Sequence, residues 1–288
     1  MEEKALTAKK SGFSMLLLCF IVFASGAALF VYAIGHLERG ENALGGFLLV
    51  VAILGYIAGI IALPGFKVLK PQEALVLTLF GHYAGTLREP GFYWVCPFCT
   101  AVNPAAGTKL SQSGDVDGGA HAASQSDGMG KKISLKMMTL NNSRQKINDC
   151  LGNPVEIGIA VIWRVTDTAK AVFNVDNYKE YLSLQCDSAL RNVVRVYPYD
   201  VAPNVDTTGD GVADEGSLRG SSEVVAARIR DEIQKNVAEA GIEVVEARIT
   251  YLAYAPEIAA VMLQRQQASA IIDARKMIVD GAVGMVEM

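Results

Sequence analysis

The stretch that decides the fold reads LGNPVEIGIAVIWRV and covers residues 151–165. From Val155 to Val165, six apolar side chains stand at every second position. A period of two is that of a β-strand, whose side chains alternate between the two faces of a sheet. The tight Leu-Gly-Asn-Pro connection joins this strand to the segment before it, so we expect a hairpin and an antiparallel sheet.

The segments on either side of this strand predict a mixed α+β fold. Upstream, residues 73–98 read as two strands with the turn chemistry of Glu-Pro-Gly at residues 89–91. Downstream, apolar residues of helical period cover residues 167–197 and again 221–241. An alternating strand follows, and Pro256 then opens a long helix that runs to the end of the chain. Strands and packed helices in this order indicate an α+β domain.

Two uncharged apolar runs precede the domain, at Phe13–Ile34 and Ala43–Phe66. Each is about long enough to cross roughly 30 Å of hydrocarbon as a helix. A signal peptide would have a shorter apolar core without a second run directly after it, and a core helix is the alternative for either run alone. We therefore expect a transmembrane hairpin with spans at about 13–34 and 43–64. Its Gly55 and Gly59 have a spacing that lets helices approach closely.

The distribution of basic residues predicts the orientation of the hairpin. Three lysines precede the first run and two follow the second, whereas Arg39 is the reliably positive residue between them. Positive residues stay on the cytoplasmic side. We therefore expect a multi-pass protein of the cell membrane with both termini and the domain in the cytoplasm.

Composition argues against several classes of function. The formal net charge of −4 and a pI near 5.5 leave no basic stripe for nucleic acid. No P-loop, nucleophile elbow, His-Glu-x-x-His or dinucleotide fingerprint occurs. Residues 206–215 imitate the start of a calcium loop, but Ser217 stands where an EF-hand places its bidentate Glu. We expect no catalytic residue, cofactor or metal ion.

Cys96 and Cys99 form the Cys-x-x-Cys spacing of redox pairs and of half zinc sites. A zinc site would need a second pair, and Cys150 and Cys186 are isolated. A thioredoxin-type site would place the first thiol at a helix start. Here aromatic residues precede the pair, and residues 103–130 after it, rich in Gly, Ala, Ser and Asp, predict a flexible insertion. Apolar packing is the favoured interpretation, with a redox or metal-binding membrane protein as the alternative.

Three long segments carry a resemblance to a known family. They read VLKPQEALVLTLFGHYAGTLREPGFYWVCPF from residue 68, LNNSRQKINDCLGNPVEIGIAVIWRVTDTAKAVFNVDNYKEYL from residue 140, and SLRGSSEVVAARIRDEIQKNVAEAGIEVVEARITYLAYAPEIAAVMLQRQQASAIIDARKMIVDGA from residue 217. Together they resemble the SPFH (band 7) domain of stomatin, prohibitin, flotillin and their bacterial relatives. The hairpin makes the chain most similar to the bacterial membrane-hairpin type.

The resemblance implies a non-enzymatic scaffold that forms rings or cages on a membrane and organises microdomains. Some relatives regulate an AAA+ membrane protease. The resemblance therefore implies three kinds of partner: the lipid bilayer, further copies of the chain with or without a paralogue, and a membrane protease or transporter as client. The alternative is a regulator of one such client without ring formation. Relatives commonly continue as helix beyond the equivalent of Met288, which leaves closure of a cage open, and commonly have Asn at the place of Cys96.

The expected organisation is therefore 1–66 for the N-terminal segment and hairpin, 67–255 for the SPFH domain, and 256–288 for an oligomerisation helix. Small residues of that helix would let neighbouring helices pack side by side: Ala259, Ala260, Ala268, Ala270 and Ala274. Four aromatic residues are separated from the second span by only a short strand pair: Phe92, Tyr93, Trp94 and Phe98. We expect them to lie on a surface close to the membrane, with burial in the domain core as the alternative.

Overall fold

The computed structural model describes residues 3–6, 12–38, 42–110, 116–117, 130–200 and 216–287. Two N-terminal helices form an antiparallel hairpin, α1 at Gly12–Glu38 and α2 at Asn42–Ala62. Both are long and apolar enough to cross a membrane. Only 17% and 11% of their most apolar windows are buried, so neither is the core helix of a soluble domain.

The hairpin packs through small residues at intervals of seven. An interval of seven keeps one seam of each helix facing its partner, and small side chains let the two backbones approach closely. Large apolar side chains cover the outside of both helices, as a lipid environment requires. The buried positions are Gly12, Cys19, Gly26 and Ala33 in α1, and Gly45, Ala52 and Gly59 in α2.

A small antiparallel unit follows the hairpin. β1 (Phe66–Leu69) pairs with β4 (Gly91–Trp94), while β2 (Glu73–Leu79) pairs with β3 (His82–Leu87), β5 (Cys99–Ala101) and, after the insertion, β8 (Ile133–Ser134). Its core is separate from that of the main sheet and contains Leu69, Leu75, Leu77, Leu87 and Tyr93.

The main sheet is built around the strand that opened the sequence. β11 (Pro154–Val165) pairs antiparallel with β12 (Ile242–Tyr254) along one edge and with β9 (Met138–Asn141) and β10 (Gln145–Asn148) along the other. The alternating side chains of β11 are buried beneath the helices, with Trp163 fully buried at the centre. The predicted α+β class with an antiparallel sheet is confirmed.

The helices of the domain differ from the predicted segments at one place. The single apolar period over 167–197 is divided into α3 (Thr168–Phe173) and α4 (Tyr178–Val194). The division occurs because both helices have their own N-cap. The side chain of Asp167 accepts a hydrogen bond from the amide of Lys170, and that of Asn177 accepts hydrogen bonds from the amides of Lys179 and Glu180. α5 (Ser222–Val237) follows and packs on β12.

The first part of the expected flexible insertion, residues 103–108, packs against the domain. Ala105 is fully buried in the main core, and Lys179 donates to the carbonyl oxygens of Ala105 and Thr108 at 3.1 and 2.6 Å. A short pair, β6 (Lys109–Leu110) with β7 (Val116–Asp117), comes next. These contacts belong to single positions, which composition averaged over the segment does not reveal.

The last helix, α6 (Pro256–Glu287), leaves the domain. Contacts near its N-terminal end fix its direction: Lys146 bonds Glu257 at 2.6 Å, and Gln266 donates to Asp200 at 3.0 Å. Beyond these contacts the described side chains of the helix are exposed.

Candidate functional site

The junction between hairpin and domain is the candidate site, and Phe92 lies at its centre. The ring of Phe92 stacks on Phe66 of β1 with centroids 5.5 Å apart and meets Phe13 of α1 edge-on at 5.3 Å. Gly12 is buried against the same ring. One side chain of the domain thus touches the start of α1 and the strand that follows α2.

Trp94 joins the other end of the hairpin to the same strand. Its Nε1 donates a 3.1 Å hydrogen bond to the carbonyl oxygen of Ala62, at the end of α2. The neighbouring Val95 amide donates to the carbonyl of Gly65 at 2.9 Å, and a Cβ on Gly65 would collide with this backbone. The domain thus supplies a partner for the carbonyl of Ala62, the last residue of α2, where a helix leaves its carbonyls without partners of its own.

The remaining two aromatic residues of the predicted surface have different surroundings. Tyr93 is 2% exposed within the second core and donates to the carbonyl oxygen of Glu89 at 3.1 Å. Burial, and after it the charge of Glu89, raises the pKa of Tyr93. Phe98 is 58% exposed and stacks loosely on Phe80, itself 81% exposed, with centroids 6.3 Å apart. Phe92 and Trp94 therefore belong to the junction, Tyr93 to the core and Phe98 to the surface.

The two glycines predicted to aid packing of the hairpin have unequal positions. A Cβ on Gly59 would stand 2.8 Å from the ring of Phe23, whereas one on Gly55 would meet nothing within 4 Å. The helix contact also uses Gly26, beside Tyr56, and Gly45, beside Leu37, which the Gly-x-x-x-Gly spacing does not identify. The spacing of seven between small residues is the sequence signal that finds them.

The alanines of α6 are exposed in the single chain, at positions 259, 260, 268, 270 and 274. None of them packs on the domain, so the surface they form is available to another chain.

The thiols of Cys96 and Cys99 lie in a turn in which the Cys99 amide donates to the Cys96 carbonyl oxygen at 2.9 Å. Burial, and then its proximity to Cys96, raises the pKa of Cys99. Cys99 begins a strand, so neither thiol has the helix start that lowers a thiol pKa at redox sites. Among the described residues no group of three His, Cys, Asp or Glu side chains could hold a metal ion, and residues 206–215 lie outside them.

These features define a class: an α+β domain of antiparallel sheets, fixed to a hairpin of two apolar helices and extended by a long exposed helix. The model of the SPFH domain / Band 7 family matches residues 67–278. The chain therefore belongs to the SPFH domain / Band 7 family, whose members are in general membrane scaffolds rather than enzymes. Comparison with curated proteins gives no match.

Proposed function

We propose that this protein is a non-enzymatic scaffold, held in the cell membrane by its hairpin, that assembles through α6 into ring- or cage-like homo-oligomers, alone or with a paralogue. The observation that carries the proposal is that α6 exposes two separate apolar stripes along a helix that the single chain leaves largely uncovered.

The two stripes lie on different sides of α6. At 3.6 residues per turn, positions separated by three, four or seven residues share a side of a helix. Gln264 and Arg275 lie between the stripes, whereas Arg265 and Lys276 interrupt the line of the first stripe and Gln267 interrupts that of the second. The first stripe consists of Val261, Ala268, Ile272, Val279 and Val283, and the second of Ala260, Leu263, Ile271, Ala274, Ile278 and Met285.

Two different apolar surfaces on one helix support a ring rather than a simple pair. A two-fold dimer buries the same surface of both copies and would leave the second stripe of α6 exposed. If the first stripe of one copy meets the second stripe of the next, every copy has two neighbours and the contact propagates until it closes. Two small residues among the large ones of the second stripe, Ala260 and Ala274, support close helix contacts of this kind.

The cytoplasmic placement of the domain is supported by the junction and by the lysines. Because the hairpin is antiparallel, the start of α1 and the end of α2 lie at the same end, and both contact β4 through Phe92 and Trp94. The domain is therefore beside the end of the hairpin that carries Lys4, Lys67 and Lys70. By the positive-inside rule this end, with both termini, is the cytoplasmic one.

In this proposal the assembly organises the surrounding bilayer and takes part in quality control of membrane proteins, with a membrane protease or transporter as client. Family membership and the rigid junction support this role, because a ring of fixed hairpins encloses a patch of membrane. An acidic chain of net charge −4 makes nucleic acid an unsuitable partner.

The test is the mass of the purified protein in mild detergent, measured by light scattering. We expect the intact chain to form large assemblies and the double variant Ile271→Asp, Ile278→Asp to be a single chain, because charge would be buried between helices. Lys276→Asp changes the net charge by the same amount at a position of α6 that is already charged, so this variant should still assemble. An intact chain that remains single at every concentration overturns the scaffold, and single copies beside another protein in electron micrographs of native membranes would favour a client regulator.

A further inference from the structure

The segment before the first membrane helix is docked on the domain as an additional strand. Residues 3–6 run beside β3, where the amide of Leu6 donates to the carbonyl oxygen of Thr86 and the amide of Thr86 donates to that of Lys4, both at 2.9 Å. Ala5 forms a parallel bridge with Thr86. The segment therefore satisfies backbone groups on the outer edge of β3, which would otherwise be open to another chain.

The first side chain of this segment enters a polar pocket at the start of α3. The Glu3 carboxylate accepts the hydroxyl of Thr168 at 2.9 Å and its amide at 3.4 Å, and lies 3.4 Å from Nη1 of Arg88. Arg88 is held in place by its own bond to the carbonyl oxygen of Thr166 at 2.7 Å. Thr168 is fully buried and the Glu3 side chain is only 11% exposed, so this pocket selects an acidic side chain.

The last side chain of the segment fills an apolar position over a glycine. Leu6 packs against the second core, and a Cβ on Gly85 would stand 2.5 Å from its Cγ and 3.0 Å from the carbonyl oxygen of Lys4. Gly85 also has φ of +148°, in a region that other residues rarely adopt. Glycine at this position therefore both permits the backbone conformation of β3 and makes room for the docked segment.

We infer that β3, Gly85 and the start of α3 form a docking site for an extended segment with an acidic residue three positions before an aliphatic one. Residues 3–6 of the same chain occupy it as an intramolecular ligand. Backbone bonds to a strand edge supply affinity and two side-chain pockets supply sequence preference, which is how β-augmentation recognises peptides. Because the segment leads into α1, its docking also fixes the membrane hairpin against the domain.

The inference is tested with the full chain from which residues 2–6 are removed, kept in detergent, and a dye-labelled peptide of residues 1–8 as probe. We expect saturable binding by fluorescence anisotropy, and at least about tenfold weaker binding to the intact chain, whose own segment competes at high local concentration. Peptides with Glu3→Lys or Leu6→Asp should bind at least about tenfold less tightly, since each loses one pocket. Arg88→Ala in the shortened chain should weaken binding, whereas Arg191→Ala, on the exposed side of α4, should not.

A folded shortened chain that fails to bind the peptide, or binds the altered peptides equally well, overturns the inference. If the shortened chain does not fold, hydrogen exchange on the intact chain decides. Glu3→Lys should then speed exchange of the Thr86 amide severalfold, because its acceptor is Lys4 of the docked segment. Unchanged exchange of the Thr86 amide in Glu3→Lys would also overturn the inference.

Discussion

Gly59 of α2 lies directly against the ring of Phe23 in α1, within the seam where the two helices of the hairpin pack. Gly55, one turn earlier on α2, has open space where a side chain would begin. The hairpin therefore needs a glycine at position 59 but has room for a side chain at position 55, although the two positions are equivalent in the Gly-x-x-x-Gly pattern.

Replacing Gly59 by leucine should destabilise the hairpin by about 1–3 kcal/mol, because the added side chain must displace Phe23 and push the helices apart. The matched variant Gly55→Leu should change stability by less than about 0.5 kcal/mol. Thermal unfolding of both variants in the same detergent measures the difference. Equal losses would show that the helices do not pack in this register.

Gly241 should be the least replaceable glycine of the SPFH domain. It follows α5 with φ of +65°, its carbonyl oxygen accepts the amides of Thr166 and Asp167, and a Cβ there would collide with the Asp167 backbone. Gly241→Ala should therefore cost more than about 2 kcal/mol, from backbone strain and overpacking together. Gly281→Ala, at an open position of α6, should be neutral or stabilising by up to about 1 kcal/mol. Denaturant unfolding of the two variants checks this order.

The thiol of Cys99 should react slowly with alkylating agents near neutral pH. Its pKa is raised, chiefly by burial, and a raised pKa leaves less of the nucleophilic thiolate at a given pH. We expect its rate with iodoacetamide to remain below that of a free cysteine at about pH 7 and to rise steeply above about pH 9. Peptide mass spectrometry over time measures the rate. The double variant Cys96→Ser, Cys99→Ser should retain membrane insertion and assembly, and loss of an activity in that variant would revive the redox alternative.

The parts of this fold that follow from period and composition were predictable, and the parts that depend on single atoms were not. The period of two in β11, the uncharged runs and the opening proline of α6 each repeat a signal over many residues. The break before α4 depends instead on the side chain of Asn177, and the ordered start of the insertion on Ala105 and Lys179. The junction at Phe92 and Trp94 joins segments far apart in the chain, so sequence reasoning proposed the residues but not their contacts.

The ion pair that anchors the strand after the insertion should give the domain an acid-sensitive contribution. Lys132 lies 3.0 Å from Glu73. Burial alone would raise the pKa of Glu73, but bonds from Lys132 and from the Lys70 backbone outweigh it and hold that pKa below its usual 4.5. A carboxyl with a depressed folded pKa stabilises the fold above its unfolded pKa and loses that contribution as pH falls through the folded value.

Lys132→Met should therefore lower stability by about 1–2 kcal/mol near neutral pH, and the difference from the unaltered chain should shrink below about pH 4. Lys131→Met, at the exposed neighbouring position, should show neither effect. Thermal unfolding across the pH range tests both variants. If the stability difference between Lys132→Met and the unaltered chain stays the same below about pH 4, the Lys132–Glu73 ion pair is not its cause.

The hydrogen bond between Trp94 and Ala62 predicts that the domain is fixed to the membrane hairpin without help from lipid. Trp94→Phe keeps a ring at the junction but removes the donor, so it should cost about 1 kcal/mol and leave the Ala62 carbonyl to find another partner. Phe98→Leu, at an exposed ring, should have little effect on stability in detergent. Exchange of the Val95 amide, which donates to Gly65 beside the Trp94–Ala62 bond, should rise in the first variant and not in the second. If instead Trp94→Phe changes only the affinity of the protein for lipid vesicles and leaves detergent stability untouched, Trp94 acts as an interfacial anchor and the rigid junction is wrong.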